Sequence, residues 1–187
     1  MFLGVLTACL SVAAFIAAPA SASPVTTARS AAASPRVSGR DSWIQLANRY
    51  SARCIDDPNQ SRRAGQPLQQ YSCNLSAAQQ WETATDANGY TVIYNNRNGL
   101  CIADKGGWIG DGVPVIQAYC DGSAAEEWQF TPVPGLGSTY YLSSPLNQWR
   151  VLSVPHWGTD NGDPLQLLSC GCGAYQQWVI EYVDNSR

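Results

Sequence analysis

The sequence has little basic charge and almost no lysine. Lysine and arginine together number 11 against 14 acidic residues, which gives a net charge of −3, and Lys105 is the only lysine. No cluster of basic residues marks a surface for nucleic acid, so we expect no nucleic-acid partner. The bias toward arginine points to a GC-rich, bacterial coding sequence.

Histidine is also nearly absent, which restricts the chemistry that the chain can perform. A Ser-His-Asp triad could form only around the single histidine, His156, and the sequence has no Gly-x-Ser-x-Gly motif. The acid pairs at 56–57 and 126–127 are neighbours along the chain, and neighbouring strand residues point to opposite faces, unlike the facing carboxylates of a glycosidase. We therefore expect no catalysis, no metal and no cofactor.

Long apolar runs are missing except at the N-terminus, where residues 1–22 are predicted to be a signal peptide. The run ends in Ala20-Ser21-Ala22, which fits a cleavage site. A membrane anchor is the alternative for a run of this length, but the run is rich in alanine and has no basic stop-transfer flank. No basic residue precedes the apolar run, so the true start codon could lie at another position. We expect a secreted protein with no membrane association after cleavage.

Residues 23–40 are rich in serine, alanine, proline and arginine and show no apolar period, which predicts a flexible leader. The ordered domain is expected to span residues 41–187. Loss of the signal also removes Cys9 and leaves six cysteines. An even number of cysteines in an oxidising compartment favours disulfide bonds.

One pattern is written three times in the expected domain. The sequences AAQQW, AEEW and YQQW end in tryptophan at positions 81, 128 and 178, which are 47 and 50 residues apart. The same two spacings separate Cys73, Cys120 and Cys170, and they also separate Cys54, Cys101 and Val151. The shared register predicts three repeated units, at about 41–86, 87–134 and 135–187.

Each unit contains short apolar runs rich in β-branched and aromatic residues, divided by Asn-Gly, Asp-Gly and Pro turn signals. These features predict about four short strands per unit, and no stretch keeps a helical period. The predicted fold class is therefore all-β. A propeller needs four or more blades, so three units must close differently.

The unit resembles the ricin B-chain type lectin repeat. It combines Cys-Ile-Asp, a glycine-containing loop, an apolar strand that ends in cysteine, and the Gln-x-Trp signature, over residues 41–187. The resemblance implies a β-trefoil, in which three units surround a pseudo-threefold axis. It also implies a secreted, non-catalytic carbohydrate-binding module, and we expect a monomer.

The resemblance further implies disulfide bonds within the first two units, Cys54–Cys73 and Cys101–Cys120. In the third unit Val151 replaces the first cysteine, so Cys170 has lost that partner. Three outcomes stay open for Cys170 and Cys172, which are a short local bond, two free thiols, or an intermolecular bond.

A sugar site in the first unit is also implied by the resemblance. By this resemblance, Asp56 would accept hydrogen bonds from sugar hydroxyls, Tyr71 would stack on the sugar ring, and Gln79 would support Asp56. Gln69 stands at the accessory polar position. Ala78 departs from the family, which usually has an asparagine there. The expected ligand is a galactose-like or other terminal sugar of a glycan or polysaccharide.

The other two units depart further from this pattern. In the second unit the Asp, aromatic and Gln positions hold Ala103, Ala118 and Glu126. In the third unit the Asp, aromatic and Asn positions hold Ser153, Leu168 and Tyr175, while Gln166 and Gln176 remain. A one-residue shift would bring Asp104 and Tyr119 into place in the second unit. The loss of the sugar-binding pattern from the second and third units supports an alternative hypothesis. In this alternative, the protein is a degenerate trefoil that binds a protein as an inhibitor or adhesin.

Overall fold

The computed structural model describes residues 43–183, which form twelve strands and five single-turn 3₁₀ helices. The strands are β1 (Trp43–Asn48), β2 (Arg53–Asp56), β3 (Gln69–Ser72), β4 (Trp81–Thr85), β5 (Thr91–Asn95), β6 (Leu100–Asp104), β7 (Val113–Tyr119), β8 (Gln129–Pro132), β9 (Thr139–Ser144), β10 (Arg150–Ser153), β11 (Gln166–Leu168) and β12 (Trp178–Val183). The 3₁₀ helices span Pro58–Gln60, Ala77–Gln79, Ala124–Glu126, Pro155–Trp157 and Ala174–Gln176. The signal peptide and leader predicted for 1–22 and 23–40 lie outside the described residues. Within 43–183, no helix has the length and apolar character needed to cross a membrane.

The strands form three groups of four, β1–β4, β5–β8 and β9–β12. Six strands form a closed antiparallel ring in the order β1, β4, β5, β8, β9, β12, in which β5 meets β8 through an isolated bridge between Thr91 and Trp128, the residue before β8. Each group also contributes one hairpin, namely β2–β3, β6–β7 or β10–β11. This threefold arrangement is a β-trefoil and confirms the predicted fold class.

The repeated tryptophans form the centre of the core. Trp81, Trp128 and Trp178 are fully buried among aliphatic side chains from all three units. Their indole Nε1 atoms donate to the main-chain carbonyls of Ile55, Ile102 and Leu152 at 3.2, 2.9 and 2.9 Å, always 26 residues earlier. One repeated core contact therefore explains why the sequence repeats a tryptophan.

Disulfide bonds fasten the first two hairpins, and a third bond is local. The structure contains Cys54–Cys73, Cys101–Cys120 and Cys170–Cys172. The first two each close a span of 19 residues, and a loop of that size stabilises a fold by about 3 kcal/mol in the chain-entropy model. Of the three outcomes left open for the last two cysteines, the structure has the local bond.

Each unit is joined to the next by the long loop of its hairpin. Glycine amides in these loops donate to a carbonyl of the following unit, from Gly65 to Gln117 (2.8 Å), from Gly112 to Leu167 (2.8 Å) and from Gly162 to Gln70 (2.9 Å). The third unit thus closes back on the first. Every hairpin is therefore bordered by a loop from a neighbouring unit.

Candidate functional site

Strand pairing in the first hairpin collects three of the four predicted sugar-binding residues. Asp56 ends β2 and lies directly opposite Gln69, which begins β3, while Tyr71 lies opposite Cys54. Residues two apart on a strand share a face, so Gln69 and Tyr71 point to the same side of the hairpin. Directly opposed residues share a face as well, which adds Asp56.

The fourth residue, Gln79, reaches the same carboxylate from the 3₁₀ helix that precedes β4. Gln69 Nε2 donates to Asp56 Oδ1 at 2.7 Å, and Gln79 Nε2 donates to Asp56 Oδ2 at 3.0 Å. Gln79 is itself fixed by the main chain, because its Nε2 also donates to Ser72 O (3.0 Å) and its Oε1 accepts from Asn74 N (2.9 Å). The two glutamines hold the carboxylate in one orientation.

The carboxylate is nearly enclosed yet keeps capacity for a ligand. Asp56 is 5% exposed, and burial raises its pKa, against the smaller lowering effect of the bonds from Gln69 and Gln79. A carboxylate offers about four acceptor positions, and these two amides use two of them. Beside it, Tyr71 is 38% exposed. Among residues 43–183, no group of three or more His, Cys, Asp or Glu side chains is placed to hold a metal ion.

The second unit has no carboxylate in the equivalent place. Ala103 lies opposite Ile116, where Asp56 and Gln69 face each other in the first unit. The one-residue shift is not adopted, since Asp104 instead accepts from Gly106 N (2.8 Å) and from Ser144 Oγ of the third unit (3.2 Å). The second unit therefore lacks this type of site.

The third unit keeps the glutamine but not its carboxylate partner. Gln176 Nε2 donates to Ser153 Oγ (3.0 Å) and to Ser169 O (3.1 Å), matching the two bonds of Gln79 with a hydroxyl in place of the carboxylate. Leu168 stands at the position of Tyr71, without an aromatic face. Of the three hairpins, the first alone combines the acid, the amides and the aromatic ring.

A loop of the third unit borders the first hairpin, a contact that no pattern in the sequence predicted. Asn161 Oδ1 accepts from Ser72 N at 2.8 Å and from Ser72 Oγ at 3.1 Å, and Gln69 forms an isolated bridge with Pro164. Asn161-Gly162 is a recognisable turn signal, but a turn signal does not name the strand it packs against. The loop fixes the outer edge of β3 beside Tyr71.

Asp57, the neighbour of Asp56, points into the interior between the first and second units. It is 1% exposed, its Oδ2 accepts from Asn98 Nδ2 at 3.3 Å, and its Oδ1 has no hydrogen-bond partner. Burial is the main cause that raises its pKa to about 7. Asp56 and Asp57 therefore have different hydrogen-bond partners, and the charge of Asp56 adds to the raised pKa of Asp57.

Asparagine at position 57 is expected to remove a pH-dependent loss of stability. Because the pKa of Asp57 rises from 3.8 to about 7 on folding, the folded state holds more protons than the unfolded state between these values. The free energy of unfolding then falls as the pH rises through this window. We expect Asp57→Asn to raise the free energy of unfolding by about 1–2 kcal/mol near pH 8 and to leave it unchanged near pH 4.

Urea denaturation across this pH range measures the effect, with Asp160→Asn, a change at an exposed carboxylate, as the control. A substitution at Asp57 that destabilises the protein equally at both pH values would contradict this account.

Comparisons with known proteins agree with the β-trefoil fold. The family model of the ricin-type beta-trefoil lectin domain matches residues 42–178. A search of curated protein sequences gave no match. Among solved structures, the designed threefold-symmetric protein ThreeFoil is 26% identical with a TM-score of 0.69, and the match covers 76% of this chain and 98% of that one.

Two natural proteins have the same fold over a similar share of the chain. An exo-β-1,3-galactanase from Clostridium thermocellum is 26% identical with a TM-score of 0.72, and the match covers 76% of this chain but only 30% of the enzyme. The ricin B-like lectin of Macrolepiota procera, solved in complex with lactose, is 18% identical with a TM-score of 0.64, over 78% of this chain and 98% of the lectin. The family match spans most of the chain and the trefoil is complete, so the protein belongs to the ricin-type beta-trefoil lectin family.

Proposed function

We propose that the protein is a secreted, non-catalytic carbohydrate-binding module with its principal sugar site in the first unit. The observation that carries the proposal is the Asp56 carboxylate, held by Gln69 and Gln79 beside the exposed ring of Tyr71. Membership of a lectin family supports the same class of ligand.

The four side chains have complementary roles toward a sugar. Sugar hydroxyls donate to the acceptor positions that remain on Asp56, while Gln69 offers a further amide at the rim. The apolar C–H face of the ring stacks on Tyr71. Gln79 is buried and keeps the carboxylate in place. A shallow site with one acid and one ring recognises a terminal sugar and leaves the rest of a glycan in solvent.

A galactose-like sugar is our proposed ligand. The lectin solved with lactose and the galactanase share this fold, and both names refer to galactose-containing sugars. Ala78 contributes no polar group where the family usually has an asparagine, so the bound sugar makes fewer hydrogen bonds. We expect a weak single-site affinity, with dissociation constants near the millimolar range.

The disulfide bonds support an extracellular location, because such bonds persist in oxidising compartments. We propose that the domain acts as a monomer and performs no catalysis. The chain spans about 30% of the length of the galactanase, so the activity of that enzyme is not carried over. Asp56 and Asp57, the adjacent acids, face different surroundings and do not form a catalytic pair.

A protein ligand is the second candidate function. The observation that favours it is the loss of the carboxylate from the second and third units, where Ala103 and Ser153 stand in its place. A trefoil that retains one sugar site of three has surface available for another kind of partner. An inhibitor or adhesin of this kind would bind no sugar through Tyr71.

Alanine at position 71 is expected to weaken lactose binding about tenfold, because the stacking face of the sugar loses its partner. Tyr119→Ala is the matched control, since Tyr119 is 70% exposed and follows the equivalent position of the second unit. Isothermal titration of the mature chain with lactose measures both variants. Equal affinities for the two variants, or no binding by the unaltered protein, would refute the proposed site.

A further inference from the structure

The three junctions between units share one backbone feature. In each unit, two residues after the first strand of the hairpin adopt left-handed φ angles, namely Asn59 and Gln60 (57° and 52°), Gly106 and Gly107 (68° and 90°), and His156 and Trp157 (both 55°). This kink faces the turn between the first two strands of the following unit. The side chains at the kink therefore help to decide what fills each junction.

The third junction is filled by aromatic rings. Trp157 packs against Tyr50 from the turn between β1 and β2, with ring centroids 5.1 Å apart and a T-shaped arrangement. Trp157 also packs against Tyr175, with ring centroids 4.2 Å apart. An indole ring thus occupies the space between the kink and the turn.

The first junction is filled by a polar network. Asn98, from the turn between β5 and β6, donates through Nδ2 to Ser61 O at 2.8 Å, to Gln117 Oε1 at 3.2 Å and to Asp57 Oδ2 at 3.3 Å. These bonds join the loop of the first unit to the second unit.

The second junction is crossed by hydrogen bonds from Ser144 to Asp104 and from Gly110 to Asn147, but it leaves a cleft beside its kink. Both kink residues are glycines, and a Cβ atom added to Gly107, the counterpart of Trp157, would meet nothing within 4 Å. A cleft of about 450 Å³ lies here, lined by Asp104, Gly106, Gly107, Trp108, Ile109 and Leu146. Its volume falls in the range of about 300–1,000 Å³ that is typical of small-molecule sites. Leu146 comes from the turn equivalent to that of Tyr50, so the cleft corresponds to the space that Trp157 fills in the third junction.

The residues of the cleft suit a ring with one apolar face and several hydroxyl groups. Trp108, Ile109 and Leu146 are 51%, 57% and 42% exposed, which gives an aromatic and aliphatic surface. Asp104 is 2% exposed and accepts one hydrogen bond at each oxygen, so about two acceptor positions stay free.

A buried donor without a partner lies beside the cleft. Asn147, next to Leu146, is 1% exposed, and its Oδ1 accepts from Gly110 N at 3.0 Å while its Nδ2 has no partner. A purely hydrocarbon ring would leave the free acceptor positions of Asp104 unused. A pyranose offers hydroxyls to Asp104 and a C–H face to Trp108.

We propose that this cleft is a second carbohydrate site, which takes a pyranose ring in the space left by Gly106 and Gly107. It does not use the hairpin face that carries Ala103 and Ala118, and it is separate from the Asp56 site in the first unit. Two sites on one domain increase the apparent affinity for a multivalent glycan without any new contact.

Titration of the ¹⁵N-labelled mature chain with lactose, xylotetraose and laminaritetraose tests the second site, observed at the backbone amide and tryptophan indole N–H signals. We expect at least one of these sugars to shift the Trp108 signal saturably. Trp108→Ala should weaken that binding about tenfold. Trp149→Ala is the matched control, because Trp149 is 53% exposed and does not line the cleft, and its affinity should be unchanged.

The variant Asp56→Ala separates the two sites, because it should leave the response of Trp108 intact. If sugars shift the Tyr71 amide but never the Trp108 indole, the second site is wrong and the first stands. If the Trp108 response disappears with Asp56→Ala, the cleft is not an independent site. A chain in which neither signal responds to any of the sugars overturns both proposals, and a protein partner that binds through Trp108 in such a chain supports the alternative function.

Discussion

Replacement of Asp56 by alanine is expected to lower the affinity for lactose at least about 100-fold, since hydrogen bonds to a charged group contribute about 1.5–3 kcal/mol each. The carboxylate is the central acceptor of the proposed site, and Gln69 and Gln79 are arranged around it. The substitution should preserve the fold, because the second unit carries Ala103 at the same place on an equivalent strand.

Isothermal titration of the mature chain with lactose measures this loss, and thermal unfolding verifies that the variant is folded. Asp160→Ala is the matched control, because Asp160 is an exposed carboxylate in the loop that borders β3. This control shows whether the loss of any nearby negative charge is sufficient to lower the affinity for lactose. Retention of the original affinity by the Asp56 variant would remove the basis of the proposed site.

The substitution Trp128→Ala is expected to cost about 3–5 kcal/mol of the free energy of unfolding, the range for large-to-small changes of an aromatic side chain in a core. Trp128 is fully buried and its Nε1 donates to Ile102 O at 2.9 Å. It belongs to the second unit, away from the proposed Asp56 site, so any loss of lactose binding would follow only from unfolding.

Two further variants separate the causes of the lost free energy of unfolding. Trp128→Phe keeps most of the ring but removes the hydrogen bond, and should cost about 1–3 kcal/mol because the carbonyl of Ile102 is left without its indole partner. Trp149→Ala removes a tryptophan that is 53% exposed and should change the free energy of unfolding by no more than about 0.5 kcal/mol. Urea denaturation gives all three values. Similar losses at positions 128 and 149 would contradict the threefold core.

The fold could be predicted because its core contact is local in the repeat. The tryptophan of each unit bonds to a carbonyl 26 residues earlier in the same unit, so the periodic spacing of Trp81, Trp128 and Trp178 carries the architecture directly. The strands followed from short apolar runs between turn signals. The state of Cys170 and Cys172 did not follow, because spacing alone cannot distinguish a strained local bond from two free thiols.

The candidate site could also be predicted in part. Asp56, Gln69 and Tyr71 belong to one hairpin, where strand alternation and register decide which side chains share a face. The resemblance supplied the register, and the structure brings Gln79 to the same carboxylate. The burial of Asp57 was not predictable, because its partner Asn98 belongs to another unit.

Features formed between units were not accessible from the sequence. Asn161 reaches Ser72 across 89 positions, and no local pattern records such a contact. No local pattern distinguishes Gly106 and Gly107 from the glycines of an ordinary hairpin loop. Their role in leaving a cleft is recognised only by comparison with Trp157, which fills the equivalent space in the third junction.

A crystal structure of the mature chain soaked with lactose is the sharpest test of the Asp56 site. We expect a galactose ring stacked on Tyr71, with its hydroxyls within hydrogen-bond distance of Asp56 and Gln69. Lactose bound elsewhere on the domain while this pocket stays empty would contradict it.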